Sequence, residues 1–216
     1  ELGPAGDRIL ALALDRGGRP WIGTEAGAAH FDGEGWQPVP AGAPGLLTGP
    51  ISALAVSPGA DGEVVWFGGA SGAAAYDTGR RTWLPLPAPP AGPDGITCLL
   101  VDAEGRAWAG TGSRGLWLWG PAGWTTYTSA NANLPLNSVS AVFESAPGRY
   151  WIGTAFAIEQ PGGLLSTFDG KDWQTYGPGQ TGYSGGEVTA MARDAGGRLW
   201  LATRTRGIDI YQIPNR

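Results

Sequence analysis

Tyr150-Trp151-Ile152-Gly153-Thr154, followed further on by Phe168-Asp169-Gly170-Lys171-Asp172-Trp173, decides the fold. The first run recurs as Trp21-Ile22-Gly23-Thr24, Trp66-Phe67-Gly68-Gly69, Trp108-Ala109-Gly110-Thr111 and Trp200-Leu201-Ala202-Thr203. The five tryptophans stand 45, 42, 43 and 49 residues apart. That period suits a four-stranded propeller blade of about 40–50 residues. The apolar residues alternate instead of recurring at helical spacing, which also selects strands.

Outward from each tryptophan, the same four pieces appear. An apolar first strand is read at Ile9–Leu14, Ile51–Val56, Ile96–Val101, Val139–Phe143 and Val188–Ala192. An Asp/Gly turn leads into the tryptophan strand. A third strand follows and ends in an aromatic: Phe31, Tyr76, Trp119, Phe168 or Tyr211. Asp-Gly pairs such as Asp32-Gly33 supply the positive φ of a tight hairpin before a fourth strand opened by Trp36, Trp83, Trp124 or Trp173. The expected fold is all-β, a propeller of five repeats spanning 1–216, with blades near 9–50, 51–95, 96–137, 138–186 and 187–216. The last blade stops at three strands. A closed five-bladed ring, an arc of a larger ring and two arcs closing on each other all satisfy this pattern. The alanine-rich inner strand favours the small closed ring.

Composition agrees. The chain of 216 residues holds 38 Gly and 18 Pro, yet 11 Trp, 6 Tyr and 5 Phe, and disordered chains lack aromatics. Net charge is −5, which argues against a nucleic-acid partner. One Cys and one His exclude an intrachain disulfide and the multi-ligand metal sites built from those residues. No cofactor and no metal are expected. No run of 18 apolar residues marks a membrane span. Glu1 stands without a start methionine, so a processed or excised chain is expected.

Ten of the 11 tryptophans fall at recurring positions and are read as packing between blades. Trp117 alone lacks an equivalent, since Ala29 and Ala74 occupy its place elsewhere. Cys98 aligns with Ala11, Ala53, Ala141 and Ala190 and is read as a buried, inert small residue near the axis. His30 is read as structural or surface.

The pattern Asp-x-x-Gly-x-x-Trp-Ile-Gly-Thr with Phe-Asp-Gly-x-x-Trp, carried by Asp15–Thr24 with Phe31–Trp36 and by Tyr150–Thr154 with Phe168–Trp173, resembles the two-component regulator propeller repeat. The resemblance implies an extracytoplasmic, ligand-sensing part of a bacterial signalling protein.

Long blade-to-blade loops share a face with the loops between second and third strands, and binding tends to reside on such a face. The fourth repeat carries an insertion there, Ala155–Gly163, with Phe156 and Glu159. Glu25, Arg114, Arg204 and Arg206 hold equivalent loop positions, with Asn131, Asn133 and Tyr183 nearby. Glu25, Arg114, Phe156, Glu159, Tyr183, Arg204 and Arg206 are therefore the candidate ligand-binding residues, suited to a small polar ligand such as an oligosaccharide. No catalytic residue is expected, because no nucleophile or metal motif is present. The alternative is a protein–protein scaffold using the rim or an open blade edge, as a monomer or an edge-paired dimer.

Overall fold

Three turns obey one local rule. In Asp15–Trp21, Asp102–Trp108 and Asp194–Trp200 the Asp carbonyl accepts the N–H of Gly18, Gly105 or Gly197, whose φ values of 75°, 77° and 79° are left-handed. Glycine reaches that region without a Cβ penalty. The Asp carboxylate accepts the backbone N–H of Arg19, Arg106 or Arg198 at 2.8–2.9 Å. Each turn thereby folds an apolar strand back on a tryptophan strand.

A computed structural model describes residues 8–39, 49–70, 72–87, 94–155, 163–180 and 182–212. Blade 1 comprises β1 (Ile9–Leu14), β2 (Pro20–Thr24), β3 (Gly27–Phe31) and β4 (Trp36–Pro38). Blade 2 comprises β5 (Ile51–Pro58), β6 (Glu63–Gly69), β7 (Gly72–Asp77) and β8 (Thr82–Trp83). Blade 3 comprises β9 (Ile96–Val101), β10 (Ala107–Thr111), β11 (Leu116–Gly120) and β12 (Gly123–Tyr127). Blade 4 comprises β13 (Val139–Ala146), β14 (Arg149–Thr154), β15 (Leu164–Phe168) and β16 (Trp173–Tyr176). Blade 5 comprises β17 (Val188–Arg193), β18 (Arg198–Thr203) and β19 (Gly207–Gln212). Every blade is an antiparallel meander in chain order, the all-β propeller arrangement expected.

The repeated Trp-x-Gly-Thr now has a physical reading. The threonine hydroxyl donates to the carbonyl that opens the third strand, as in Thr24 to Gly27 at 3.1 Å, Thr111 to Gly115 at 2.8 Å and Thr154 to Leu164 at 3.1 Å. The glycine is a seat for the next blade. A Cβ would come within 2.8 Å of Ile51 Cγ2 at Gly23, 2.6 Å of Ile96 Cγ2 at Gly68, 2.9 Å of Val139 Cγ1 at Gly110 and 2.8 Å of Val188 Cβ at Gly153. Ile51, Ile96, Val139 and Val188, the first residues of four inner strands, are at most 2% exposed.

Blades pack in chain order, with β1, β5, β9, β13 and β17 side by side along the inner edge. Trp117 is fully buried against Ala53, Ala73, Ile96 and Ala109, so it plugs the space that the small alanines of blade 2 leave. Cys98 is half-buried, not fully buried as the alignment with alanines suggests, and packs against Gly110. Desolvation pushes its thiol up to about 11, so little thiolate is present at neutral pH.

The closed ring favoured by the alanine-rich inner strand is not formed by the described residues. β17 packs on β13 and makes no comparable contact with β1. Leu12 (62% exposed) and Leu14 (59%) on blade 1, and Ile208 (63%) and Ile210 (47%) on blade 5, lie bare at the two ends of the arc. Their counterparts in blades 2 to 4 face a neighbouring blade. A small inner residue permits a tight axis but does not supply the complementary end faces that closure needs.

Candidate functional site

Each inner strand begins with a β-bulge. Ile51 pairs with Gly69 while Ala53 pairs with Gly68, leaving Ser52 as the extra residue. The same irregularity places Thr97, Ser140 and Thr189 on bulges in blades 3, 4 and 5, and Leu10 in blade 1. A bulge bends the strand locally and re-aims the inserted side chain, and bulges gather at functional rims. Here they carry hydroxyls to the inner edge of the arc. Ser52 Oγ donates to the Ile96 carbonyl of the next blade at 2.6 Å, and Thr97 Oγ1 donates likewise to the Val139 carbonyl. Ser140 Oγ is buried with no hydrogen-bond partner among the described residues.

These hydroxyl residues line an axial funnel of about 450 Å³, together with Gly95, Gly112, Ala155, Glu187 and Arg204. At its rim Arg204 donates twice to the Glu187 carboxylate, Nε and one terminal nitrogen each at 2.8 Å. The Arg204 N–H also bonds the Glu187 carbonyl at 2.9 Å. The Glu187 hydrogen bond raises the Arg204 pKa further. A fork-to-fork pair of this kind fixes both groups in direction, so the funnel presents a rigid acceptor–donor pair above a ladder of hydroxyls. That chemistry suits neutral polar groups, which exchange hydrogen bonds with water for hydrogen bonds with the wall.

Of the loop residues singled out in the sequence, Arg204 alone lines the funnel among those described. Glu25 is ion-paired with Arg8 at 2.5 Å on the surface. Arg114 is exposed on the turn after β10, its N–H bonded to Thr111 Oγ1 at 2.9 Å. Arg206 is also exposed, with its N–H on Thr203 Oγ1. Tyr183 is only 1% exposed and packs with Trp151, Leu165, Val188 and Leu199. Its hydroxyl donates to the Gly186 carbonyl, and burial first, then the Asp209 charge, pushes its pKa up to about 12. Its loop folds the ring inward as packing between blades 4 and 5. Phe156 and Glu159 lie outside the described residues. Asn131 is a loop-builder whose Oδ1 accepts from Thr128 N and Oγ1.

Sequence reasoning passed over the hydroxyl ladder. The signal was available: Ser52, Thr97, Ser140 and Thr189 each precede the aligned small residues Ala53, Cys98, Ala141 and Ala190.

Residues 182–205 match the family model of the two component regulator propeller, which bears out the resemblance read from the repeats. Among solved structures, the chain is similar to an extracellular domain from B. thetaiotaomicron described as part of a hybrid two component system, at 17% identity and a TM-score of 0.64. That likeness covers 96% of this chain and 34% of the other. PorZ, a bacterial surface component of the type-IX secretion system of Porphyromonas gingivalis, aligns at 15% identity and a TM-score of 0.68, over 94% of this chain and 32% of its own. An ancestral GH74 enzyme aligns at 14% identity and a TM-score of 0.71, over 98% and 32%. The chain thus spans about a third of the length of these proteins. At such identities they share its fold. No curated protein sequence matches significantly. Among the described residues no helix is long and apolar enough to cross a membrane.

Proposed function

We propose that the arc is the recognition part of an extracytoplasmic sensor, periplasmic or extracellular, and that it binds a small polar ligand in the axial funnel without transforming it. The observation that carries this reading is the ladder of bulge hydroxyls from successive blades, Ser52, Thr97, Ser140 and Thr189, converging beneath the Glu187–Arg204 pair. The regulator-propeller match and the shared fold with an extracellular two component domain support the sensor role. The GH74 likeness shows that a related fold can also serve an enzyme. In this funnel, however, the carboxylate among the described lining residues is committed to Arg204, a poor arrangement for a general acid or base.

The test is isothermal titration with a panel of neutral oligosaccharides, using the chain and its Ser140→Val and Arg204→Ala variants. Saturable binding that weakens about tenfold or more in either variant, corresponding to about 1.4 kcal/mol, supports the reading. Binding indifferent to both variants but lost in Arg114→Ala moves the site to the outer loops. A second reading, an assembly scaffold, draws support from the bare apolar residues at the arc ends.

A further inference from the structure

The outward face of blade 5 repeats a surface that is covered elsewhere in the molecule. In blade 3, Asp102 holds Arg106 Nε and Trp108 Nε1 at 2.8 Å, and blade 4 closes over them. Tyr150 donates its hydroxyl to Asp102 at 2.9 Å, and Glu144 accepts the Ala103 N–H at 2.7 Å. Blade 2 covers blade 1 in a related way, Glu63 accepting the Arg16 N–H at 2.6 Å. Blade 5 presents the same set: Asp194 holds Arg198 Nε at 2.7 Å and Trp200 Nε1 at 2.9 Å. No described residue accepts the N–H of Ala195, the counterpart of Arg16 and Ala103. Beside it Ile208 and Ile210 are exposed. Thr189 gives a second sign. Ser52 and Thr97 bond the carbonyl of the next blade, Ser52 also lying 3.5 Å from the Gly68 carbonyl of its own. Among the described residues the Thr189 hydroxyl instead bonds the Ala202 carbonyl of its own blade alone, at 3.3 Å.

Blade 1 is a poor cover for this face. Leu14 occupies the register of Glu144, and Pro20 that of Tyr150, so neither the carboxylate nor the ring hydroxyl is supplied. Ala202 stands where blades 1 to 4 have glycine, and those glycines admit the first residue of the next inner strand with no room for a Cβ. Ile9, in that position on blade 1, would meet the Ala202 methyl.

We infer that the outward face of blade 5 is a docking surface for one further β-sheet of the same repeat type, supplied from outside these 216 residues, whose inner strand opens with Gly or Ala and which brings a carboxylate to the Ala195 N–H. The face is the equivalent of the four that existing blades cover, carries the Asp-Arg-Trp set of blades 1 and 3, and differs from all four in having Ala202 in place of glycine. This inference is independent of what the funnel binds.

Two measurements test it. In the chain itself, Ile208→Lys with Ile210→Lys, and separately Leu12→Lys with Leu14→Lys, should leave the mass by light scattering monomeric and shift Tm by less than about 2 °C, as exposed positions do. A fall of 5 °C or more, or a native dimer that both variants dissociate, means that the ends already pair, and overturns the inference. Next, the chain is extended after Arg216 with a second copy of its residues 128–186 carrying Val139→Ala. Slowing of Ala195 amide exchange by about tenfold or more, reduced by Glu144→Gln in the added copy, supports docking. Unchanged Ala195 exchange, with the added sheet melting separately, overturns it.

Discussion

The seam between blades 1 and 2 and the seam between blades 3 and 4 start from one motif and end differently. Both present Asp, Arg and Trp at the same spacing, Asp15-Arg19-Trp21 and Asp102-Arg106-Trp108. At the second seam Tyr150 enters, bonds Asp102 and stacks obliquely on Trp108 with centroids 4.4 Å apart. Burial, the largest single influence on Asp102, works to raise its pKa. The bonds from Trp108, Arg106 and Tyr150 outweigh it and hold the carboxyl below its ordinary value. At the first seam Val65 stands in the register of Tyr150. A hollow of about 450 Å³ remains, lined by Asp15, Arg19, Trp21, His30 and Tyr76 among others. His30 stacks on Trp21 at 4.5 Å, and its Nδ1 is buried without a partner among the described residues. The turn motif folds by itself, and the residue sent in by the next blade decides whether the seam is solid or hollow.

The sharpest way to break this contrast is to remove the rings. Trp108→Ala should cost about 4 kcal/mol, near the upper range for a large aromatic in a filled core, read as a lower urea midpoint. Trp21→Ala should cost clearly less, because one side of its neighbourhood is already open. Equal losses would mean that the hollow does not weaken the first seam. Asp102→Ala should cost about 3 kcal/mol by leaving buried donors and a guanidinium uncompensated. Asp15→Ala should cost roughly half as much, in proportion to fewer buried partners.

Exchanging the residues that differ sharpens the comparison. Tyr150→Phe should cost about 1.5 kcal/mol for a hydrogen bond to an ionised group. Val65→Tyr should gain up to about 1 kcal/mol by filling the hollow and reaching Asp15. A loss on Val65→Tyr would show that the hollow is held open by its own packing.

The smallest effect concerns pH. Burial lowers the His30 pKa, countered by Asp32 and Asp15 and aided by Arg19. The unfolded chain therefore binds a proton more readily than the folded one. The His30 contribution is present above about pH 6.5 and is lost as pH falls below it. A shallow drop in the urea midpoint between pH 7 and 5, absent in His30→Gln, is expected. Asp102 acts at lower pH with the same sense. Its folded pKa is depressed, so its contribution holds above the ordinary carboxylate value and fades as pH falls through the folded one.

Most of the blade plan was legible because its signals are local. A left-handed glycine, a capping aspartate and a tryptophan at fixed spacing report on a single turn, and Thr24, Thr111 and Thr154 close their own hairpins. The site was less legible because its residues are placed by a bulge, which strand alternation does not announce. Ser52 and Thr97 look like unremarkable strand residues until the register shift turns them to the axis. Tyr183 misled for the opposite reason: a Gly- and Ser-rich loop reads as a solvated mouth, yet it folds its ring into the core. Ring closure depended on whether two ends fit, a relation that no single repeat contains.

The Trp117 plug has a consequence for how such an array is inherited. Blade 2 offers a floor of alanines, Ala53 and Ala73, and blade 3 alone carries the large indole that fills it. A duplication that copied blade 3 by itself would set Trp117 against a Trp108 and Leu118 face with no vacancy for it. Copying blades 2 and 3 together would preserve the match. The heritable unit at this point in the chain is a pair of repeats, and their order is fixed by shape.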